Sequence, residues 1–366
     1  MTKISGLTSS ALVREPSSPP VAISILNWNS WRATLECLES VRQLQYPNYL
    51  IVVVDNGSGN ESLEELRAWA NRHFRQSDAF VEYQREAAIA GGDPAREAGL
   101  ERCGSSRRLV LVDNAENLGF AGGNNVAIQY ALRRPQPVDY VLLLNNDATI
   151  QEDCLKHLIA VCQKVRAGIA GAIIKERESG HLQFTGVGSF PLLRLFFQPF
   201  LAVHADDPDP EAEFQLSFCV GGAAMLMRRD VLDAVHKSTN HYLDDALFLY
   251  GEELDFCGQA GKLGYKSVVA YHALVYHGEA TSSGGRFNPI AYYYSNRNRV
   301  RVAGHILPWP LRPLFHAINI PLCLGRVAKN LLKGRRNAAR AILSGMIDGY
   351  RGIFGKWKQH DKVLKG

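Results

Sequence analysis

The stretch "DYVLLLNNDATI", Asp139 to Ile150, drives four consecutive apolar residues into Asn145, Asn146 and Asp147. A short apolar run bounded by polar residues reads as a strand buried on both faces of a sheet. Three oxygen-bearing side chains at its end either cap the next turn or hold a hard metal ion and the ligand that arrives with it.

Working outward, "VAISILNWN" (Val21–Asn29), "LIVVVDNGSGN" (Leu50–Asn60) and "RLVLVDN" (Arg108–Asn114) repeat the pattern of an apolar run that stops on polar groups. Helical spacing of apolar residues follows each strand, as in Trp31, Leu35, Leu38 and Val41. Strands alternating with helices predict an α/β fold with a mainly parallel sheet. Ligands in such sheets bind beyond the carboxyl ends of the strands. The four polar strand ends, Asn27–Asn29, Asp55–Ser58, Asp113–Asn117 and Asn145–Asp147, therefore predict one site on one edge.

The 366-residue chain, 46% hydrophobic and 21% charged, has the composition of a large globular domain with an appendage. Residues 1–20 read as a loose tail with no secretory core, and 78–108, interrupted by Gly91, Gly92, Pro94 and Gly104, as an insertion. Seven scattered cysteines without a C-x-x-C pair suggest neither a disulfide framework nor a zinc site, and point to a reducing, cytosolic setting. From Pro321 onward, eleven Lys and Arg face two Asp, a net +9 that leaves the rest of the chain at −4. An anionic partner is expected at this basic segment. In it Ile342, Met346, Ile353 and Trp357 fall near one helical face, the pattern of a helix lying on an anionic membrane or of one docked on the main domain. "SFPLLRLFFQPFLAV" (Ser189–Val203) reads as a further apolar patch or as core.

No G-x-G-x-x-G follows the first strand and no Walker sequence occurs, so bound phosphates are expected to be neutralised by a metal. Asp147 is the first candidate ligand for Mg²⁺ or Mn²⁺, and His277 is placed to complete its shell. "LFLYGEELDF" offers Glu252, Glu253 and Asp255 either as helix-start charges or as a general base. Arg297, Arg299 and Arg301 form either a solvated basic face or an anion clamp.

In order, "SILNWN", "VVVDNGS", "ENLGFAGGNN", "LLLNND", "GGAAMLMRR", "FLYGEELDF" and "VYHGEATSS" resemble family 2 inverting glycosyltransferases of GT-A fold, and especially their rhamnosyltransferase-like branch. The resemblance, which covers Val21 to about Arg301, implies a GT-A catalytic domain over 21–301, a Rossmann-like nucleotide-diphospho-sugar sandwich, and the charge and apolar spacing beyond it predict a basic, amphipathic helical C-terminal extension over 302–366. It implies that Asn27 and Asp55 contact the nucleotide, with Asn29 beside them, and that Asn117, Gly119 and Asn124 line the donor pocket. Asn145, Asn146 and Asp147 stand where the family has its Asp-x-Asp or Asn-x-Asp motif, and His277 matches a histidine that joins the metal in some relatives. Gly222 belongs to the loop beside donor sugar and acceptor, Glu253 is the implied base with Glu252 second, and Arg297 and Arg299 would hold the acceptor's diphosphate.

The implied partners are a nucleotide-sugar donor, foremost dTDP-rhamnose, a lipid-linked saccharide acceptor and the anionic cytoplasmic face of the cell membrane, with a homo-oligomer compatible and nucleic acid not expected. A UDP-hexose or UDP-galactofuranose donor is the alternative within the enzyme class. A nucleotidyltransferase would need a glycine-rich loop where "NWNSW" stands, and a non-catalytic glycan- or membrane-binding relative would not need Asp147 and Glu253 together.

Overall fold

The computed structural model describes residues 18–74, 79–103, 108–186, 212–278 and 288–360. The stretch Ser189–Val203 lies outside them, as does most of the N-terminal tail. The strands form an 11-stranded sheet: β1 (Val21–Asn27), β2 (Tyr49–Asp55), β3 (Phe80–Gln84), β4 (Leu109–Asp113), β5 (Tyr140–Asn145), β6 (Ala148–Ile150), β7 (Ile169–Glu176), β8 (Leu182–Phe184), β9 (Phe214–Ser217), β10 (Ala224–Arg228) and β11 (Ser267–His277). The order is β3-β4-β2-β1-β5-β10-β7-β11-β6, with β8 on β7 and β9 on β11.

The half from β3 to β5 is parallel, as the alternating pattern predicts. Beyond it the sheet is mixed, because β10 runs antiparallel to both β5 and β7. Side chains alternate across each strand. Val21, Ile23 and Ile25 of β1 enter one core with α1 (Trp31–Val41), α2 (Ser62–His73) and α6 (Cys154–Val165). Ala22 enters the other with α5 (Gly119–Arg133), α7 (Arg229–Thr239) and α8 (Glu252–Lys262). Burial on both faces is why these strands read as unbroken apolar runs.

The segment expected as an insertion is part of this sheet. Its β3 pairs in parallel with β4, and the short α3 (Arg85–Ile89) and α4 (Pro94–Arg102) follow it. The glycines and Pro94 that interrupt the helical pattern mark the turn between those helices, where Asp93 caps α4 by accepting from the N–H groups of Ala95 and Arg96. Beneath them Glu97, 1% exposed, accepts from the hydroxyls of Tyr83 and Tyr130 and from Arg134.

Helix α9 (Pro289–Ile306) continues unbroken past Arg301, and α10 (Arg312–Leu332) and α11 (Arg336–Arg351) pack beside it. The apolar face read as a membrane-binding stripe is partly turned inward. Ile342 is buried with Ala338, Ala341 and Gly345 against α9, where a Cβ on Gly345 would stand 2.3 Å from the Tyr293 carbonyl oxygen. The Trp357 ring stacks on Tyr293 at 4.2 Å. Docking on α9 was the competing reading of this helix, and it holds for Ile342 and Trp357.

Candidate active site

The four polar strand ends lie in register. Asn27 pairs with Asp55, Asp55 with Asp113, and Leu26 with Asn145. The parallel pairings thus bring strand ends that are up to 118 residues apart in sequence to a single sheet edge, with Asn145 one position short of Asn27.

On the β1–β2 side, Asn27 donates to Asp55 Oδ2 at 2.7 Å and accepts from Thr34 Oγ1 at 2.8 Å. Ser58 closes the loop, its N–H donating to Asp55 Oδ1 at 2.9 Å and its hydroxyl to Oδ2 at 2.7 Å. Asn29, at φ 53°, accepts from the Gly59 N–H, so the two loops are laced together. Asn56 is the hub of the adjoining loop. Its amide donates to Asn117 Oδ1 and the Gly119 carbonyl, and its oxygen accepts from Asn114 and the Leu118 N–H. Asn56 falls within the strand end Asp55–Ser58 read from the sequence, whereas Thr34, a single polar residue on the apolar face of a helix, did not stand out.

Two implied donor-pocket residues are structural in their side chains or backbone. Asn124, 1% exposed, accepts from Ser24 Oγ at 2.8 Å and donates to the Phe120 carbonyl. Its amide is engaged inside the protein rather than lining a pocket. Gly119, at φ 74°, sits where a Cβ would stand 2.4 Å from the Phe248 carbonyl oxygen, so only glycine fits this turn.

At β5 the chain turns through Asn146 and Asp147 into β6, whose Ala148 pairs with His277 at the end of β11. That pairing brings Asp147 Oδ1 to 3.1 Å from His277 Nε2. Nδ1 of His277 lies 2.9 Å from Gln183 Oε1, an acceptor, so a ring carrying its proton on Nδ1 would turn its Nε2 lone pair toward Asp147 and a cation held there. Asn145 Nδ2 is 3.1 Å from the same Nε2, while Asn145 Oδ1 is buried without a hydrogen-bond partner among the described residues. An unpartnered amide oxygen, a carboxylate and an imidazole lone pair converging here fit a divalent cation of the Mg²⁺ or Mn²⁺ type. Asn146 donates to Thr34 Oγ1 at 3.0 Å and so joins this turn to the Asn27–Asp55 network. Arg177 supports it from below, one guanidinium nitrogen on the Asp147 carbonyl and another on Glu36, each at 2.7 Å. Neither Arg177 nor Gln183 belongs to a motif visible in the sequence.

The loop Gly221–Ala223 lies alongside, because the Asn145 N–H donates to the Ala223 carbonyl at 3.0 Å. A Cβ on Gly222 would meet the Glu253 side chain at 3.7–3.9 Å. Glu252 is buried with Oε2 unpartnered among the described residues, whereas Glu253 is partly exposed. Burial raises both carboxyls above their usual range, Glu252 well above it and with a further push from the Glu253 charge. Of the pair, Glu253 faces the loop and solvent. Asp255 turns away, its carboxylate 2.9 Å from His305 Nδ1 and accepting from Gln259.

Asp244, Asp255 and His305 present a second set of ligand atoms within 4.8 Å of one another. Arg301 forks onto both oxygens of Asp244, supplying the countercharge from within the protein. This network ties α9 to α8.

Arg297 and Arg299 are not at the surface. The Arg297 side chain, 0% exposed, donates to the carbonyls of Gly355, Ala246 and Leu247, and Arg299 is 1% exposed beside Phe315. Guanidiniums buried this deeply do not meet an acceptor's diphosphate, so that expectation is corrected. With Asn298, which donates to the carbonyls of Leu247, Leu249 and Tyr250, Arg297 instead fixes the loop leading into α8. Phe248 and Tyr250 there have φ of 65° and 66°, conformations that side chains seldom adopt without such support.

Profiles of two protein families match the sequence, "Glycosyltransferase like family 2" over residues 81–299 and "Glycosyl transferase family 2" over 22–106. The chain belongs to glycosyltransferase-like family 2. Among individual proteins, the chain is similar to the low-salt glycan biosynthesis hexosyltransferase Agl10 of Haloferax volcanii, 26% identical over 178 residues. That match covers 46% of this chain and 51% of the relative, so the chain spans about half the length of the curated relative it matches.

Two solved glycosyltransferases share the fold. One is the mannosyltransferase PcManGT from Pyrobaculum calidifontis in complex with GDP-Man and Mn²⁺, with TM-score 0.53, 14% identity, and 91% and 87% of the two chains covered. The other is S. aureus TarS 1-349 in complex with UDP-GlcNAc, with TM-score 0.52, 13% identity, and 94% and 92% covered. The GT-A architecture and its C-terminal helices are thus those of glycosyltransferases.

Proposed function

We propose that this family 2 enzyme is an inverting transferase that moves a sugar from a nucleoside-diphosphate donor, foremost L-rhamnose from dTDP-rhamnose, to a lipid-linked saccharide. The observation that carries the reading is the convergence of Asp147 and His277, 3.1 Å apart, with the Gly222–Glu253 contact across the single hydrogen bond from Asn145 to Ala223. The rhamnosyl assignment rests on the ordered motifs from "SILNWN" to "VYHGEATSS". The similarity to a hexosyltransferase supports a hexose donor as the second reading.

Asn117 and the loop from Asp55 to Ser58 orient the nucleoside, with Asn27 buried behind Asp55 and, like Thr34 and Asn56, fixing their geometry. Asp147 and His277 would hold Mg²⁺ or Mn²⁺, which when bound neutralises charge developing on the leaving nucleoside diphosphate. Glu253 accepts the proton of the acceptor hydroxyl as that oxygen bonds to the anomeric carbon and the bond from that carbon to the diphosphate oxygen breaks. A carboxylate whose pKa burial has raised is a stronger base for this step than one in water.

Incubation of purified protein with dTDP-rhamnose or UDP-hexoses, a membrane-lipid extract and Mn²⁺ tests the reading through the released nucleotide. Release of dTDP with glycosylated lipid supports it. Release of UDP only from a UDP-hexose moves the assignment to the second reading, and release of pyrophosphate contradicts transferase chemistry of this type.

A further inference from the structure

Helix α10 has an inner stripe that starts on the buried Phe315 and continues as Asn319, Cys323, Arg326 and Asn330 at helical spacing, with Asn319 donating to the Tyr350 hydroxyl and Arg326 reaching Asn296. Its outer side exposes Leu314, Ile320, Leu324, Leu331 and Leu332, and Trp309 stands 78% exposed just before the helix. At 1.5 Å per residue, the stripe from Leu314 to Leu332 runs about 27 Å. Leu343 and Ile347 of α11 are exposed as well.

The charge around this face is of one sign. From Trp309 to Ile347 the sequence holds seven Lys and Arg and no Asp or Glu. Arg312, Lys329, Lys333, Arg336 and Arg340 among them are exposed. Two copies meeting through this face would bring these cations against one another, whereas an anionic lipid surface takes up the leucines and pairs the cations together. Among the described residues no helix is long and apolar enough to cross a membrane, so the stripe suits a helix lying along the interface.

We propose that the outer face of α10, with Trp309 at its start, is a docking surface for an anionic lipid bilayer. The helix lies in the headgroup region with Leu314, Leu324 and Leu331 toward the acyl chains, and Lys329, Lys333 and Arg336 on lipid phosphates. This surface is a different one from the Ile342–Trp357 side, which the fold uses for packing on α9. The inference deepens the reading of a lipid-linked acceptor, yet its readout needs neither donor nor acceptor, so the two stand or fall separately.

The test is co-flotation of the full chain with vesicles of phosphatidylcholine and phosphatidylglycerol, and with phosphatidylcholine alone. The expected result is partition onto the anionic vesicles, weakened by salt. A Leu314→Gln/Leu324→Gln/Leu331→Gln variant with unchanged thermal stability should bind at least tenfold less. Because these side chains are exposed, folding should survive the changes, and a Lys333→Ser/Arg336→Ser variant provides a second set that leaves the leucines in place. Should that variant bind anionic vesicles as well as the parent, or the parent fail to float, the proposal is overturned. It is equally overturned if the parent is a dimer in solution that the leucine variant dissociates, since a second copy then covers the face.

Discussion

Asp147 Oδ1 and His277 Nε2 lie 3.1 Å apart, although 130 residues separate them in sequence, because β6 pairs with the last three residues of β11. Nδ1 of His277 meets the Gln183 amide oxygen at 2.9 Å, so a cation between Asp147 and Nε2 would fix the ring proton on Nδ1. Titration of Mn²⁺ followed by electron paramagnetic resonance should show saturable binding to the parent protein, lost in Asp147→Ala. Gln183→Leu, which removes only the partner of Nδ1, should weaken binding about 10–100-fold.

Glu253→Gln should lower transfer about 10²–10⁴-fold while leaving donor binding near its parental value, measured by steady-state kinetics alongside calorimetry. Burial raises the Glu253 carboxyl, and the base must be ionised, so kcat should fall as pH drops through this raised pKa. A Glu252→Gln enzyme that lost transfer while Glu253→Gln retained it would move the base to Glu252.

Glu252 has a separate signature in stability. Its buried carboxyl titrates well above the ordinary value of 4.5, so between that pH and its raised folded value the native state binds more protons than the unfolded chain. Stability therefore falls as pH rises across this window. Glu252→Gln, an uncharged near-isostere, should match the parent's melting temperature below pH 4.5 and exceed it at neutral pH by a few degrees, about 1–2 kcal/mol.

Asn298→Ala removes the amide that holds the carbonyls of Leu247, Leu249 and Tyr250, two of which flank left-handed residues. A loss of about 2–3 kcal/mol in denaturant unfolding is expected, together with a fall in kcat larger than any change in donor affinity. Arg297→Lys should not restore the arrangement lost in Arg297→Ala, because one ammonium cannot reach the carbonyls of Ala246, Leu247 and Gly355 together.

The parallel half of the sheet was legible because doubly buried strands must be apolar throughout, and because each of β1, β2, β4 and β5 stops on Asn or Asp. Register then carried Asn27, Asp55 and Asn145 to one edge without further information. Strand β3 was hidden because "FVEYQ" is short, carries Glu82, and precedes the broken stretch at Gly91, Gly92 and Pro94. The exchange of Arg297 from surface clamp to buried anchor has a similar cause, since periodicity gives a helix but not which of its faces another helix will cover. Likewise, spacing put Ile342 and Ile353 on one face, and only the docking of α11 on α9 shows that Ile342 is buried while Ile353 stays exposed. Gln183 and Arg177 act through partners distant in sequence and leave no local pattern to read.

The most direct test is calorimetric titration of dTDP-rhamnose and of UDP-hexoses into the parent protein and into Asp147→Ala, His277→Ala and Glu253→Gln, with and without Mn²⁺. One donor is expected to bind in a Mn²⁺-dependent manner to the parent and to Glu253→Gln, and to lose that dependence in Asp147→Ala and His277→Ala. Mn²⁺-dependent binding of undiminished strength in Asp147→Ala would contradict the placement of the donor's diphosphate at the end of β5.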